Sequence, residues 1–119
     1  MTKNFKRKQY AKAVLTNLHA LRQRRYVGDL DASDTLIDFE RAVEMAKLTA
    51  RQAEALTLVY DVGLTQKLAA VEMGVGQDVV SEHIRKATEE IDEVYEMWAW
   101  MDGELSADMY VEDEGEAVV

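Results

Sequence analysis

The sequence has no cysteine, no proline, no apolar run of membrane-crossing length, and no positive charge beyond residue 88. Without cysteine there is no disulfide framework, no thiolate metal site and no thiol nucleophile, which fits a reducing cytoplasm. Without proline no helix carries the usual hard stop, so long continuous helices are open to the chain. The basic start, "MTKNFKRKQYAK", is not followed by the apolar core of a secretory signal. No segment approaches the ~20 apolar residues that cross a bilayer, so no membrane partner is expected. His19 and His83 have no companions at ligand or triad spacing, and no Gly-rich phosphate loop accompanies the many carboxylates. No catalytic residue, metal, cofactor or small-molecule substrate is expected, and the chain does not read as an enzyme.

What is present is a polarity of charge. Residues 1–28 hold eight Lys/Arg and no acid, 29–46 one base and six acids, 47–88 five of each, and 89–119 twelve acids and no base. The net charge of −9 is therefore no argument against nucleic acid, because a basic arm precedes a neutral module. At 119 residues there is room for one domain with extensions.

The fold class expected is all-α. Over residues 5–26, Ala11, Val14, Leu15, Leu18 and Leu21 recur at helical spacing with Lys and Arg opposite, predicting one basic amphipathic helix that ends at Gly28. Ser33 or Asp31 offers an N-cap for a second helix with Leu36, Ile37, Val43 and Ala46 inward, ending near Lys47. Thr49 and Gln52 have the spacing of a capping box, ahead of Leu56, Val59 and Tyr60 on one face. "DVG" then breaks the chain, Thr65 caps a further helix, and "GVG" at 74–76 separates it from one opening at Gln77. Val80, Ile84, Ala87, Ile91, Val94, Trp98 and Met101 step alternately by four and three, the period of a coiled-coil seam. They predict a helix running to about Trp100 and a homodimer joined along it. The organisation read is a basic amphipathic helix over 1–28, a connecting helix over 29–47, a helix-turn-helix over 48–88, a coiled-coil-like oligomerising continuation over 89–103, and an acidic tail over 104–119. The tail, tethered close to a basic arm, either is a solvated segment that aids solubility or competes with nucleic-acid phosphate and suppresses non-specific binding.

A helix-turn-helix needs a small residue where its helices cross, a residue tolerant of positive φ in the turn, and aliphatic residues closing the corner. Ala70, Gly74, Val75 and Val80 fill those places, with Ala69, Met73 and Ile84 completing a small core. Read with Leu48, Thr49, Arg51, Gln52, Leu56, Tyr60, Leu64, Thr65, Gln66 and Ala87, the stretch resembles the fourth region of bacterial sigma factors. It is more closely similar to the sigma-region-like regulators of bacteriophages of Gram-positive hosts, including the ArpU-like phage transcriptional regulators. The resemblance implies that the helix after the turn enters the major groove of a promoter −35 element and that the module docks on RNA polymerase. Two departures stand out. Gly76 replaces the usual capping Ser or Thr, and Leu68 and Val71 form an apolar pair where the family has charge, which points to a protein contact.

By the 3.6 period the reading helix turns Gln77, Asp78, Ser81, Glu82, Arg85 and Lys86 outward. Gln77 and Ser81 can bond base edges, Arg85 can take the paired acceptors of guanine, and Glu82 can accept from a cytosine amine or pair with Lys86 on a solvated face. Arg51, Thr65, Gln66 and Lys67 are expected on phosphate. Lys6, Arg7 and Lys8, with Lys3, Lys12, Arg22, Arg24 and Arg25, would add the missing basic charge, unless they pair with Glu89, Glu90, Asp92, Glu93 and Glu96. The protein interface expected comprises Leu68, Val71, Ile84, Ile91, Val94, Tyr95, Trp98 and Met101. The function expected is transcription regulation through double-stranded DNA, with RNA polymerase as a second partner. The alternatives are a protein-interaction module and a DNA-packaging adaptor of the small-terminase kind.

Overall fold

A computed structural model describes residues 8–102, and the expectations placed on Lys6, Arg7 and the acidic tail lie outside it. Every element among the described residues is helical. The basic stretch forms two helices, α1 (Tyr10–Thr16) and α2 (Leu18–Tyr26), where one was expected. Asn17 interrupts it: its side-chain amide donates to the Ala13 carbonyl at 2.9 Å and its backbone N–H to Val14 O at 3.1 Å, tightening one step out of the α-helical ladder. The apolar stripe survives the step, with Ala11, Val14, Leu15, Leu18 and Leu21 all buried.

Gly28, at φ 96°, turns the chain into α3 (Leu30–Ala46). The cap is Asp29 and not Ser33 or Asp31: its Oδ1 accepts the Ala32 amide at 3.1 Å. That bond, aided by Arg24, lowers the Asp29 pKa. The helix starts two or four residues earlier than expected; Ala32, Leu36, Phe39 and Ala42 form its buried face, while Ile37, expected inward, is 41 % exposed. The helix ends on Lys47 in a left-handed conformation.

Helix α4 (Ala50–Leu56) opens with the capping box, the Gln52 amide donating to Thr49 Oγ1 at 3.1 Å and the Thr49 amide to Gln52 Oε1 at 3.0 Å. It widens into a π-helical turn, Thr57–Val62, closed by Gly63 at φ 93°. Helix α5 (Gln66–Met73) is capped by Thr65, whose hydroxyl accepts the Leu68 amide at 3.1 Å. Helix α6 (Gln77–Asp102) is the longest, at 26 residues.

Helix α6 is the post on which α1, α3, α4 and α5 pack. Its 3.5-period seam faces inward: Val80, Ile84, Ala87, Ile91 and Val94 are buried among side chains of the same chain. Ile84, Ile91 and Val94, expected at a subunit interface, are thus covered within the chain, whereas Tyr95 and Trp98, expected there too, are half-buried. Tyr95 stacks on Tyr10 with ring centroids 4.8 Å apart and meets the edge of Trp98 at 5.3 Å, while the Arg41 guanidinium lies 5.8 Å over Trp98. Helices α1, α3, α4 and α5 of the same chain cover the seam. Only Met101, 75 % exposed, runs past the end of that packing.

Candidate nucleic-acid interface

The corner between α5 and α6 is built from small and aliphatic side chains. Ala69, Ala70 and Met73 of α5 are buried with Val80, Ile84 and Ala87 of α6. Alanine at 69 and 70 lets the two backbones approach. Gly74, at φ 72°, makes the turn, and the Val75 amide donates back to Ala70 O at 3.0 Å. Gly76 offers no hydroxyl, but its carbonyl accepts the Val79 and Val80 amides at 3.1 and 3.2 Å, and Asp78 places an acid in the first turn of α6 where the helix dipole favours it.

With the corner closed in this way, Gln77, Asp78, Ser81, Glu82, Arg85 and Lys86 all lie exposed on α6. Ser81 and Arg85, one turn apart, share a cleft of about 760 Å³ with Gln66 at the start of α5, Tyr60 of the π-turn, and Gln9 and Lys12 around the start of α1. Glu89, Asp92 and Glu93 form its other end. The cleft therefore joins the reading face to the capped start of α5, the two places where base-edge and phosphate contacts were expected.

This arrangement of capped helix, glycine turn and reading helix coincides with a match of residues 45–92 to the family model for sigma-70, region 4. That segment is similar to sigma-70, region 4. Comparison with curated proteins and with solved structures gave no match. Helices α1 and α2 and nearly all of α3 precede the region 4 module and buttress it.

Within the module, the charges are arranged differently from the expectation. Glu82 pairs with Arg85 and not with Lys86: Arg85 Nε donates to Glu82 Oε1 at 3.1 Å and Nη2 to Oε2 at 2.6 Å, while Nη1 donates to Glu89 Oε2 at 2.6 Å. The hydrogen bond from Arg85 lowers the Glu82 pKa, and the carboxylates raise that of Arg85. Arg51, expected on phosphate, is turned onto protein. Its Nη2 donates to Met73 O at 2.8 Å, closing the end of α5, and its Nη1 to Glu54 at 2.9 Å. Lys67 is exposed beside the Thr65 cap.

The basic arm divides. Arg22, Arg24 and Arg25 are held in ion pairs with Asp61 at 2.7 Å, Asp29 at 3.3 Å and Glu40 at 3.3 Å, so α2 supplies intramolecular ties. Lys12, by contrast, lines the cleft, and the chain segment carrying Lys8 enters beside it. What fixes that entry is Asp92, which sequence reasoning took for one more surface acid. It is 6 % exposed, and its Oδ1 accepts the Ala11 amide at 2.8 Å, pinning the first turn of α1 against α6. Its place in the inward 91–94 stretch of the seam was the available signal. On the other side of the module, Leu68 and Val71 are 54 % and 75 % exposed, as their spacing on α5 predicted.

Proposed function

We propose that the chain is a transcriptional regulator of bacteriophage or prophage type that binds promoter DNA through its region 4 module and acts by binding, without catalysis, in the bacterial cytoplasm. The observation that carries this reading is the shared surface of Ser81, Arg85 and Gln66. Two exposed base-reading side chains stand beside the start of a capped helix, the geometry in which one element reads bases and the other holds phosphate. Lys12, which lines the same cleft, adds a sequence-independent attraction. Binding of the full chain to selected and random duplexes, across a range of salt, tests it. Arg85→Ala should cost roughly 1–3 kcal/mol on the selected duplex and relax preference at one base pair, while Lys12→Ala should weaken binding to every duplex and flatten the salt dependence.

A second partner is favoured by the exposure of Leu68 and Val71, which a DNA contact does not explain. RNA polymerase is the partner that fits the similarity to sigma-70, region 4, and Val71→Asp should then reduce co-purification with polymerase while leaving duplex binding intact. Met97, Trp100 and Met101, exposed at the end of α6, are the part of the C-terminal helix open to a homodimer contact.

A further inference from the structure

We propose that Arg85 reads a guanine in the major groove and that Glu82 is its positioning residue, holding the guanidinium in reading orientation instead of contacting a base itself. The proposal rests on the DNA-binding reading and names what one position of the duplex must present.

A guanidinium has five N–H groups in a rigid planar fork. Here the Glu82 carboxylate takes Nε and Nη2 with both of its oxygens, at 3.1 and 2.6 Å, and Glu89 takes Nη1 at 2.6 Å. Three donors are occupied, and one remains on each terminal nitrogen. Two donors side by side on a planar group match the O6 and N7 acceptors that guanine alone presents as a pair in the major groove. Both Glu82 oxygens are engaged by Arg85, so a cytosine amine would have to share an oxygen already bound to the guanidinium. The three side chains are each about half exposed, at 52 %, 52 % and 51 % for Arg85, Glu82 and Glu89, so the group stands on the solvent face of α6, one turn beyond Ser81. A long arginine fixed at two edges loses less freedom on meeting its base than an unsupported one.

The positioning role makes a prediction that neither a surface ion pair nor a direct base contact makes. An acid on a DNA-facing helix repels phosphate, so removing its charge should strengthen non-specific binding, yet removing this acid should weaken discrimination. The experiment measures, for the full chain at low salt, affinity for a selected duplex, for the same duplex with the Arg85-dependent guanine replaced, and for an unrelated duplex. Arg85→Ala locates that guanine by abolishing its preference. Glu82→Gln should raise affinity for the unrelated duplex and lower the guanine preference about fivefold or more. Glu89→Gln removes the same charge one turn further on; it should raise non-specific affinity likewise and keep most of the preference, because the two-oxygen grip of Glu82 is intact.

A guanine preference untouched by Glu82→Gln overturns the proposal, as does an effect confined to a different base pair, which would make Glu82 a reader. A preference that rises with Glu82→Gln would make Glu82 a mask over Arg85, and an equal loss in Glu89→Gln would reduce the effect to charge. An Arg85→Ala chain that retains every base preference would remove the reader. Wild-type chain that binds no duplex would sink the DNA reading and this role together, whereas wild-type binding with unaltered preference in Glu82→Gln sinks only the role.

Discussion

Asp92 illustrates how a single residue sets the geometry of the cleft. A carboxylate that is 6 % exposed is tolerated only where donors surround it, and the Ala11 amide at the positive end of α1 is such a donor. Replacing Asp92 by Ala should lower stability by roughly 1–3 kcal/mol in chemical denaturation. Asp92→Asn should cost less because its oxygen still accepts; equal losses for the two would show that shape and not the bond matters. Tyr95, three residues on, records the same burial in its ionisation. Burial, with Asp38 and Asp92 nearby, raises its pKa from the ordinary 10.0 to about 12. The folded chain thus keeps a proton that the unfolded chain has already lost, so stability should fall as pH climbs from about 10 towards 12. Tyrosinate absorbance should show a fraction titrating last that Tyr95→Phe removes; loss of the latest fraction in a different Tyr→Phe variant would place the buried phenol elsewhere. The sequence marked Asp92 only as one acid among several on a helix, because a contact to residue 11, eighty-one positions away, leaves no local pattern.

At the scale of the elements, α6 has two parts with different surroundings. Its first three turns expose Gln77, Ser81 and Arg85, and the rest is core on one side and acid on the other, with Glu89, Glu90 and Glu93 exposed. Phosphate is repelled along that acidic part, which confines duplex to the first turns. The alternation of four and three located the buried face of α6 correctly and misassigned what covers it. A 3.5 repeat reports that a stripe is apolar, and four short helices of the same chain bury it as well as a partner does. Ile91→Asp should therefore unfold the chain, at a cost of several kcal/mol, and Met101→Asp should leave it folded. If light scattering instead found the Ile91→Asp chain folded with a halved mass, Ile91 would belong to a subunit interface. The caps at Thr49 and Thr65 and the turn at Gly74 were legible because each depends on residues three to five apart. Nothing lies within 4 Å of a Cβ placed on Gly74, so Gly74→Ala should be penalised by its φ of 72° alone, about 1–2 kcal/mol in thermal unfolding. A neutral Gly74→Ala would mean the turn relaxes. The π-turn at Thr57–Val62 had no such signature, and the Asn17 break, although its bonds reach only Val14 and Ala13, was hidden by the apolar period that runs through it.

Over the whole molecule, the region 4 module at residues 45–92 is joined to a helical buttress that precedes it in sequence, and charge is sorted along the same direction. Three of the eight basic residues in 1–28, Arg22, Arg24 and Arg25, are used for ties within the fold. Lys12 lines the cleft beside the reading face, where the Asp92 anchor holds the start of α1. A protein with a net charge of −9 can then hold duplex only if the attraction is local and the base contacts are selective. The most direct measurement is selection from a random duplex library by the full chain at low salt, followed by affinity for the enriched sequence as salt is raised. The account predicts an enriched site whose recognition is lost in Arg85→Ala and whose affinity falls steadily with salt. No retention of any duplex at low salt, or enrichment indifferent to Arg85, would contradict it.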